Sequence, residues 1–424
     1  MTLLRCRHCG SLLHQEVIDL GHQPPSNAYL SADQLGQPEI TYPLKVYICT
    51  SCWLVQLPAH AAAETLFTPD YAYFSSTSSS WCAHAERYVT SAVSRLGLDQ
   101  GSMVVELASN DGYLLQYVLE RQIPCLGIEP TQAAAELARQ RDIPTLERFF
   151  GVALAEELVA EGAPVAGGAD LIAANNVLAH VPDINDFLAG ITRLLKPTGQ
   201  VSIEFPHLLR LLAGNQFDTI YHEHYSYLSL AVLQRIGASV GLALVDVEEL
   251  PTHGGSLRVW LARSASLEKG TVQLPTQAKD RLAAVLAAEQ AAGLELPQAY
   301  AGFQQNAEAA KHALLRFLLE ARQQDRRVLG YGAAAKGNTL LNYAGIGSDL
   351  LAAVADKASS KIGRFLPASH IPVLEPAELA SLAPDALLVL PWNIAAEVQQ
   401  QWRQAGFGNQ PFYRAIPFLQ QLPG

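Results

Sequence analysis

The stretch Val104–Leu115, VVELASNDGYLL, constrains the fold more than any other part of this 424-residue chain. Met103–Leu107 is apolar and β-branched and reads as a strand whose end carries an acid, Glu106. Ala108–Gly112 is a short polar turn, and an amphipathic helix is expected from Tyr113. Ser109, Asn110, Asp111 and Gly112 are residue types that favour turns and helix N-caps. In open α/β sheets, ligands bind at the carboxyl ends of the strands, over turns of this kind.

The pattern repeats downstream. Strands are expected at Cys125–Ile128, near 143–146, at Ala169–Ala174 and at Gln200–Phe205, with helices at 131–140, 183–195 and 230–240 between or after them. Alternation of this kind predicts a parallel sheet with helices on both faces. Two closing strands, 242–250 and 256–262, have no helix between them and predict an antiparallel hairpin at one edge. The chain thus reads as α/β, in three parts: an N-terminal module (1–70), a central domain (71–265) and a C-terminal domain (266–424). Hydrophobic residues at 49% and charged residues at 16% suit a globular protein with full cores. A net charge of −11 argues against nucleic acid or an anionic membrane as partner, since both require clustered positive charge. No apolar run approaches the roughly 18–20 residues of a membrane span. The N-terminus MTLLRCRHCG has no signal-peptide core, so the cytoplasm is the expected compartment, and its cysteines are expected to be reduced.

Four of the six cysteines form two C-x2-C pairs, Cys6/Cys9 and Cys49/Cys52, with the 39 residues 10–48 between them. Two such knuckles suit a closed tetrahedral zinc site that staples a small module and leaves no position for substrate. An iron–sulfur cluster is the alternative reading. After this module, Asp70–Trp81 (DYAYFSSTSSSW) places Tyr71, Tyr73 and Phe74 beside a serine run. It reads either as a linker or as a loop over a pocket.

This layout resembles a class I S-adenosylmethionine-dependent methyltransferase. Glu129, before Pro130 and 17 residues past Gly112, stands where a carboxylate accepts ribose hydroxyls. The first turn lacks G-x-G-x-x-G and offers acceptors instead, which suits a sulfonium and an amino-acid tail better than a pyrophosphate. Glu106, Ser109, Asn110, Asp111, Gly112, Glu129 and Pro130 are therefore expected to bind the donor. Asn175 and Asn176 are expected under the methyl group, and Phe149 either flanks adenine or serves the core.

Tyr221–Tyr227, YHEHYSY, packs two histidines, a glutamate and three tyrosines into seven residues beyond the fifth strand. His180 joins it from the fourth strand end, and His253 turns the last hairpin in PTHGGSLR. A metal site on His222, Glu223 and His224 competes with a catalytic reading. Taken together, the four-cysteine module, ELASNDGYLL with YHEHYSY, and PTHGGSLR resemble the sugar C-methyltransferase family. These enzymes methylate the carbon beside the ketone of a nucleotide-linked, typically dTDP-linked, keto-deoxysugar. The resemblance implies His224 as general base, with Tyr221 and Glu223 beside it, and a substrate-lining role for Tyr71 and Tyr73. His180 and Tyr221 are candidate donors to a developing oxyanion.

In the C-terminal domain, 266–326 is expected to be helical. Strand Arg327–Tyr331 then meets a glycine turn with Gly330, Gly332, Gly337 and Lys336, and strand Leu351–Ala355 ends before Asp356. Glycine amides at a helix start can hold a diphosphate, so Lys336, Asn338 and Lys361, with His253, are expected to contact the nucleotide sugar. A packing turn is the alternative. The expected protein is a monomeric or weakly homo-oligomeric enzyme acting on a small molecule. Its rivals are methylation of another carbon, oxygen or nitrogen nucleophile, or a non-catalytic zinc-ribbon binding protein.

Overall fold

The structure is a computed structural model, and it describes residues 3–67 and 74–423. Three sheets are built in chain order. The first comprises β1 (Gln15–Gln23), β2 (Tyr42–Ile48) and β3 (Val55–Gln56), antiparallel to one another. The central sheet uses β4 (Val104–Leu107), β5 (Cys125–Ile128), β6 (Thr145–Leu146), β7 (Ala169–Asn175) and β8 (Leu195–Pro206). β9 (Ser226–Tyr227) leaves it, and β10 (Leu242–Leu250) and β11 (Ser256–Arg263) complete it. The third sheet holds β12 (Val328–Tyr331), β13 (Val354–Ala355), β14 (Val373–Leu374), β15 (Ala386–Val389), β16 (Phe412–Arg414) and β17 (Gln420–Gln421).

The central order is β10-β11-β8-β7-β4-β5-β6, with β4 through β8 parallel and β11 antiparallel between β8 and β10. The strand order reverses at β4, which pairs with β5 on one side and β7 on the other. Crevices of open α/β sheets lie at such switch points, which makes the turn after β4 the first candidate site. All four residues of β4 are buried, as central parallel strands covered on both faces require. The hairpin expected at the edge is present. The helix after β4 begins at Leu115, because Asp111–Leu114 complete the turn first.

The N-terminal module is not set apart from the rest. β9, from the YHEHYSY segment, pairs with β3 and extends the first sheet. One hydrophobic core joins Val17, Ile18 and Ile48 of that sheet to Leu314, Leu340 and Leu388 of the C-terminal part. Another joins Cys6, Cys49 and Leu54 to the central sheet.

The connector differs from a single helical run. It forms helices Ser264–Glu268, Ala278–Ala291 and Phe303–Gln323, separated by segments holding Gly270, Pro275, Gly293, Pro297 and Gly302. Gly302 (φ +89°) takes the left-handed N-cap position, which L-residues reach only at a cost. The third sheet is parallel, apart from β17, in the order β14-β13-β12-β15-β16-β17. The strand expected at Leu351–Ala355 shortens to Val354–Ala355, and the short pair β16/β17 was not visible as a pattern in the sequence. No helix among the described residues is long and apolar enough to cross a membrane.

Candidate active site

The turn after β4 is tightly wound. Ala108, Asn110 and Gly112 all have positive φ (54°, 51° and 79°). Gly112 is required twice over, since a Cβ there would lie 2.4 Å from Ile143 Cδ1. Strain of this kind clusters at ligand sites. Around the turn, buried polar atoms stand without partners among the described residues: Glu106 Oε2, Ser109 Oγ, Asn175 Oδ1 and both amide atoms of Asn176. Buried groups left unsatisfied are costly, so their grouping at the neighbouring ends of β4 and β7 makes this the candidate ligand site.

Burial pushes the Glu106 carboxyl well above its ordinary range, helped by the nearby charges of Glu129 and Asp111. Glu129 ends β5 as expected. It accepts from Asn110 N (2.9 Å), Thr131 N (2.9 Å) and Thr131 Oγ1 (2.6 Å). Burial raises its pKa, while these bonds oppose the rise. Pro130 follows it, half-buried. Phe149 is exposed, whereas Phe150 packs edge-on against Phe187. The side chains of Asn110 and Asp111 hold the serine turn: Asn110 Oδ1 accepts from Ser75 N (2.8 Å), and Asp111 accepts from the Ser76 hydroxyl. Arg141 bonds Ser76 Oγ (3.0 Å) and Asp111 O (2.6 Å). Ser75–Thr77 therefore sits directly on the turn; Tyr71 and Tyr73, expected next to it, lie outside the described residues.

The histidine cluster divides. His224 Nδ1 lies 2.7 Å from Thr219 O. A carbonyl can only accept, so Nδ1 carries the proton and Nε2 keeps its lone pair. The ring packs on Tyr221 (centroids 3.9 Å) and against His180 (4.6 Å). Burial holds His224 well below the usual imidazole range, aided by the charges of His180 and Lys336. His180 is pushed down to about 4 by burial.

His222 and Glu223 point elsewhere, into the N-terminal module. His222 Nε2 lies 3.3 Å from Tyr42 O, and Glu223 Oε1 accepts from Asn27 Nδ2 (3.1 Å). Adjacent side chains in a turn project in different directions, and the N-terminal sheet takes these two. Among the described residues the one group spaced to hold a metal ion is the four cysteines, and His222, Glu223 and His224 form none.

Two further groups join His253 and Lys336, both expected from the sequence, to Glu204, Asp218 and Trp392, which were not. Glu204, at the end of β8, meets Arg258 (2.9 Å), His84 (3.0 Å) and Thr252 Oγ1 (3.1 Å). Burial would raise Glu204, but His84 and Arg258 outweigh it and hold the carboxylate below its ordinary value. Trp81 stacks on His84 (4.8 Å) and meets His253 edge-on (5.1 Å). His253 has φ +53° and is pushed down to about 4 by burial, with the Lys336 charge adding to it.

The second group comes from the C-terminal domain. Lys336 Nζ bonds Asn393 Oδ1 (2.8 Å) and lies over Trp392 (4.7 Å). Trp392 Nε1 donates to Asp218 Oδ2 (2.7 Å), which burial pushes up to about 6. Asp218 precedes Thr219, the residue that orients His224. An acid ending a strand in SIEFP was the available signal for Glu204; Asp218 and Trp392 left none.

Lys361 and Asn338 are engaged within the protein. Lys361 Nζ bonds Ala333 O (2.8 Å) and Asn338 Nδ2 bonds Ser26 O (2.6 Å). The glycines of their turn are filled: a Cβ on Gly332 would meet Pro391 Cδ at 2.3 Å, and one on Gly337 would meet Leu390 Cβ at 2.8 Å.

The four cysteine sulfurs lie within 4.8 Å of one another, with Cys6–Cys52 and Cys9–Cys49 at 3.5 Å. Tetrahedral zinc–thiolate geometry, with Zn–S of about 2.3 Å, separates sulfurs by about 3.8 Å, so the residues fit zinc. Gln56 Nε2 donates to Cys6 Sγ (3.1 Å), and the hydrogen bond with Cys52 does most to favour the Cys6 thiolate.

Comparison with known proteins covers the same ground. Residues 6–67 match a zinc binding domain, 81–247 a methyltransferase domain and 251–417 a C-methyltransferase C-terminal domain. The chain is 33% identical to the C-methyltransferase NovU of Streptomyces niveus over 393 residues, which is 93% of this chain and 90% of that one. Among solved structures, the magnesium protoporphyrin IX methyltransferase of Synechocystis PCC 6803 with bound SAM is 14% identical with a TM-score of 0.31, covering 42% of this chain and 79% of that one. A SAM-dependent methyltransferase of Anabaena variabilis is also 14% identical, with a TM-score of 0.35, covering 43% and 86%.

Proposed function

The chain belongs to the C-methyltransferase family, and from that premise we propose that it methylates the carbon beside the ketone of a nucleotide-linked 4-keto-deoxysugar, through an enolate generated by His224. Its donor is S-adenosylmethionine, which when bound supplies an electrophilic methyl on sulfur. Glu106, Ser109, Glu129, Asn175 and Asn176 are the residues that would hold the donor. Zinc on the four cysteines is structural, since four protein ligands leave no open position.

The tautomer of His224 carries this reading. Nδ1–H donates to Thr219 O, which leaves the lone pair on Nε2 of a ring that packs on Tyr221 and His180. A neutral imidazole can remove a proton made acidic by an adjacent ketone. Tyr221 is the candidate donor to the oxygen as charge develops, and the Lys336 charge favours an anion nearby; neutral His180, the other candidate, spends one nitrogen on the Glu223 backbone and keeps Nδ1 without a partner among the described residues. The acceptor thus lies between β8, the YHEHYSY turn and Trp392. We place the enzyme in a reducing compartment, the cytoplasm, which suits a thiolate-held metal.

Incubation with a panel of keto-sugar nucleotides, read by mass spectrometry, tests the substrate class: the expected product gains one methyl in place of one hydrogen. In deuterated water His224→Ala should lower both methyl transfer and sugar-proton exchange by about 10³-fold. Undiminished exchange in that variant rules out the base assignment.

A further inference from the structure

Arg7 lies between two zinc ligands, in the knuckle Cys6-Arg-His-Cys9, yet its side chain leaves the metal module altogether. Nη1 donates to Val181 O (3.2 Å) and Pro182 O (2.9 Å). Nη2 donates to Tyr225 O and to Ser226 Oγ (2.7 Å). Val181 follows His180 in the chain, and Tyr225 follows His224. One guanidinium therefore ties together the backbones that carry the two facing imidazoles, whose centroids are 4.6 Å apart.

The knuckle in turn fixes the arginine. Gln56 accepts from Arg7 N (2.9 Å) through Oε1 and donates to Cys6 Sγ (3.1 Å) through Nε2, so one side chain joins a metal ligand to the arginine backbone. His8 and Asn185 lock the other side, through Nδ1–Oδ1 (2.7 Å) and Asn185 Nδ2 to His8 O (2.8 Å). The guanidinium also lies 5.7 Å from the Tyr225 ring centroid. A planar fork with five donors can bridge two chain segments at once, which an ammonium cannot.

We propose that Arg7 is a positioning residue, through which the zinc knuckle sets the His180–His224 geometry. The functional part of this proposal rests on the catalytic reading of His224; the geometric part does not. The zinc site then has a role beyond holding a small module together. Loss of the metal, or of the arginine, releases both histidine-bearing segments together, and displacements of about 1 Å at reacting groups cost about 10²-fold in rate.

The test uses the full-length zinc-loaded chain and histidine-selective ¹⁵N spectra recorded without sugar substrate. Arg7→Gln is expected to shift the His180 and His224 signals while zinc content and S-adenosylhomocysteine affinity stay at the parent values. Arg5→Gln is the matched control, because the Arg5 side chain bonds Gly10 O (3.0 Å) within the same knuckle and touches neither histidine segment among the described residues, and it should leave both signals in place. With a turned-over substrate, Arg7→Gln should lower kcat by between about 10- and 100-fold, with KM for the donor within about twofold. Unmoved His180 and His224 signals in a zinc-loaded Arg7→Gln chain overturn the proposal, as does a kcat within twofold of the parent. Where Arg7→Gln does not fold, Arg7→Lys decides: it keeps the charge without the fork, and displaced histidine signals support the proposal while unmoved ones overturn it. Because the spectra need no acceptor, they decide the positioning role even if every keto-sugar fails as substrate.

Discussion

Two strand–turn–helix units in this chain share a pattern in the sequence and differ in what surrounds them. In one, β4 leads through Ala108–Gly112 into the Leu115–Leu119 helix; in the other, β12 leads through Gly332–Ala334 into the Ala335–Ala344 helix. Each has a glycine with positive φ, Gly112 at 79° and Gly332 at 89°. The first turn is surrounded by buried acceptors with no partner among the described residues. The second is filled by Leu390 and Pro391, and its Ala333 carbonyl is taken by Lys361 and by the Tyr29 hydroxyl, which donates to it. The difference does not lie in room beside the glycine, since a Cβ on Gly112 would also meet Ile143 Cδ1 at 2.4 Å; it lies in the polar atoms left without partners around the first turn. Lys336, at the start of the second helix, lies over Trp392, and its charge helps to lower both His224 and His253.

The comparison can be broken from either side. On the open turn, Glu129→Ala should weaken S-adenosylmethionine binding by about 100-fold, the worth of one hydrogen-bonded charge. Calorimetry reads this directly, and unchanged affinity would remove Glu129 from the donor site. On the filled turn, Gly332→Ala should destabilise the fold by about 2 kcal/mol, through a strained φ and the Pro391 contact, with donor affinity unaltered. Denaturant titration measures the first quantity. A stable variant with weakened substrate binding would mean that the turn is a nucleotide cradle after all.

The smallest effect concerns pH. Burial, with the charges of His180 and Lys336 adding to it, holds His224 well below its usual range. On the proposed role of His224 as base, the active form is neutral, so rising pH changes nothing, and activity falls only as pH drops through the depressed pKa. The rate of methyl transfer should therefore vary by less than about twofold between pH 6.5 and 8, with its acid limb below the ordinary imidazole value of about 6.5. An acid limb centred at 6.5 or above would contradict the desolvated site.

Much of this was written locally. The C-x2-C spacing already implied four converging thiolates, and the structure brings Cys6, Cys9, Cys49 and Cys52 within bonding distance of one ion. The β-branched run of β4, the polar turn after it and Glu129 at the end of β5 were legible because strand period, turn chemistry and strand-end acids are short-range signals. YHEHYSY was visible as a dense cluster, yet its members separate in space. His224 faces His180, while His222 and Glu223 serve contacts with Tyr42 and Asn27, about 180 and 196 residues away in the chain. Glu204 with Arg258, Asp218 with Trp392, and Arg7 with Val181 and Tyr225 were equally out of reach, because each pairs residues from segments that only folding brings together.

The sequence by itself determined the alternating elements, the cysteine knuckles and the polar turn after β4, since propensity, periodicity and ligand spacing act over a few residues. Tertiary structure alone decided which glycine turn keeps partnerless polar atoms around it, which imidazole keeps its lone pair and which arginine ties the two histidine segments together. Those outcomes depend on packing and hydrogen bonds between distant segments, and no local pattern encodes the space that such contacts leave.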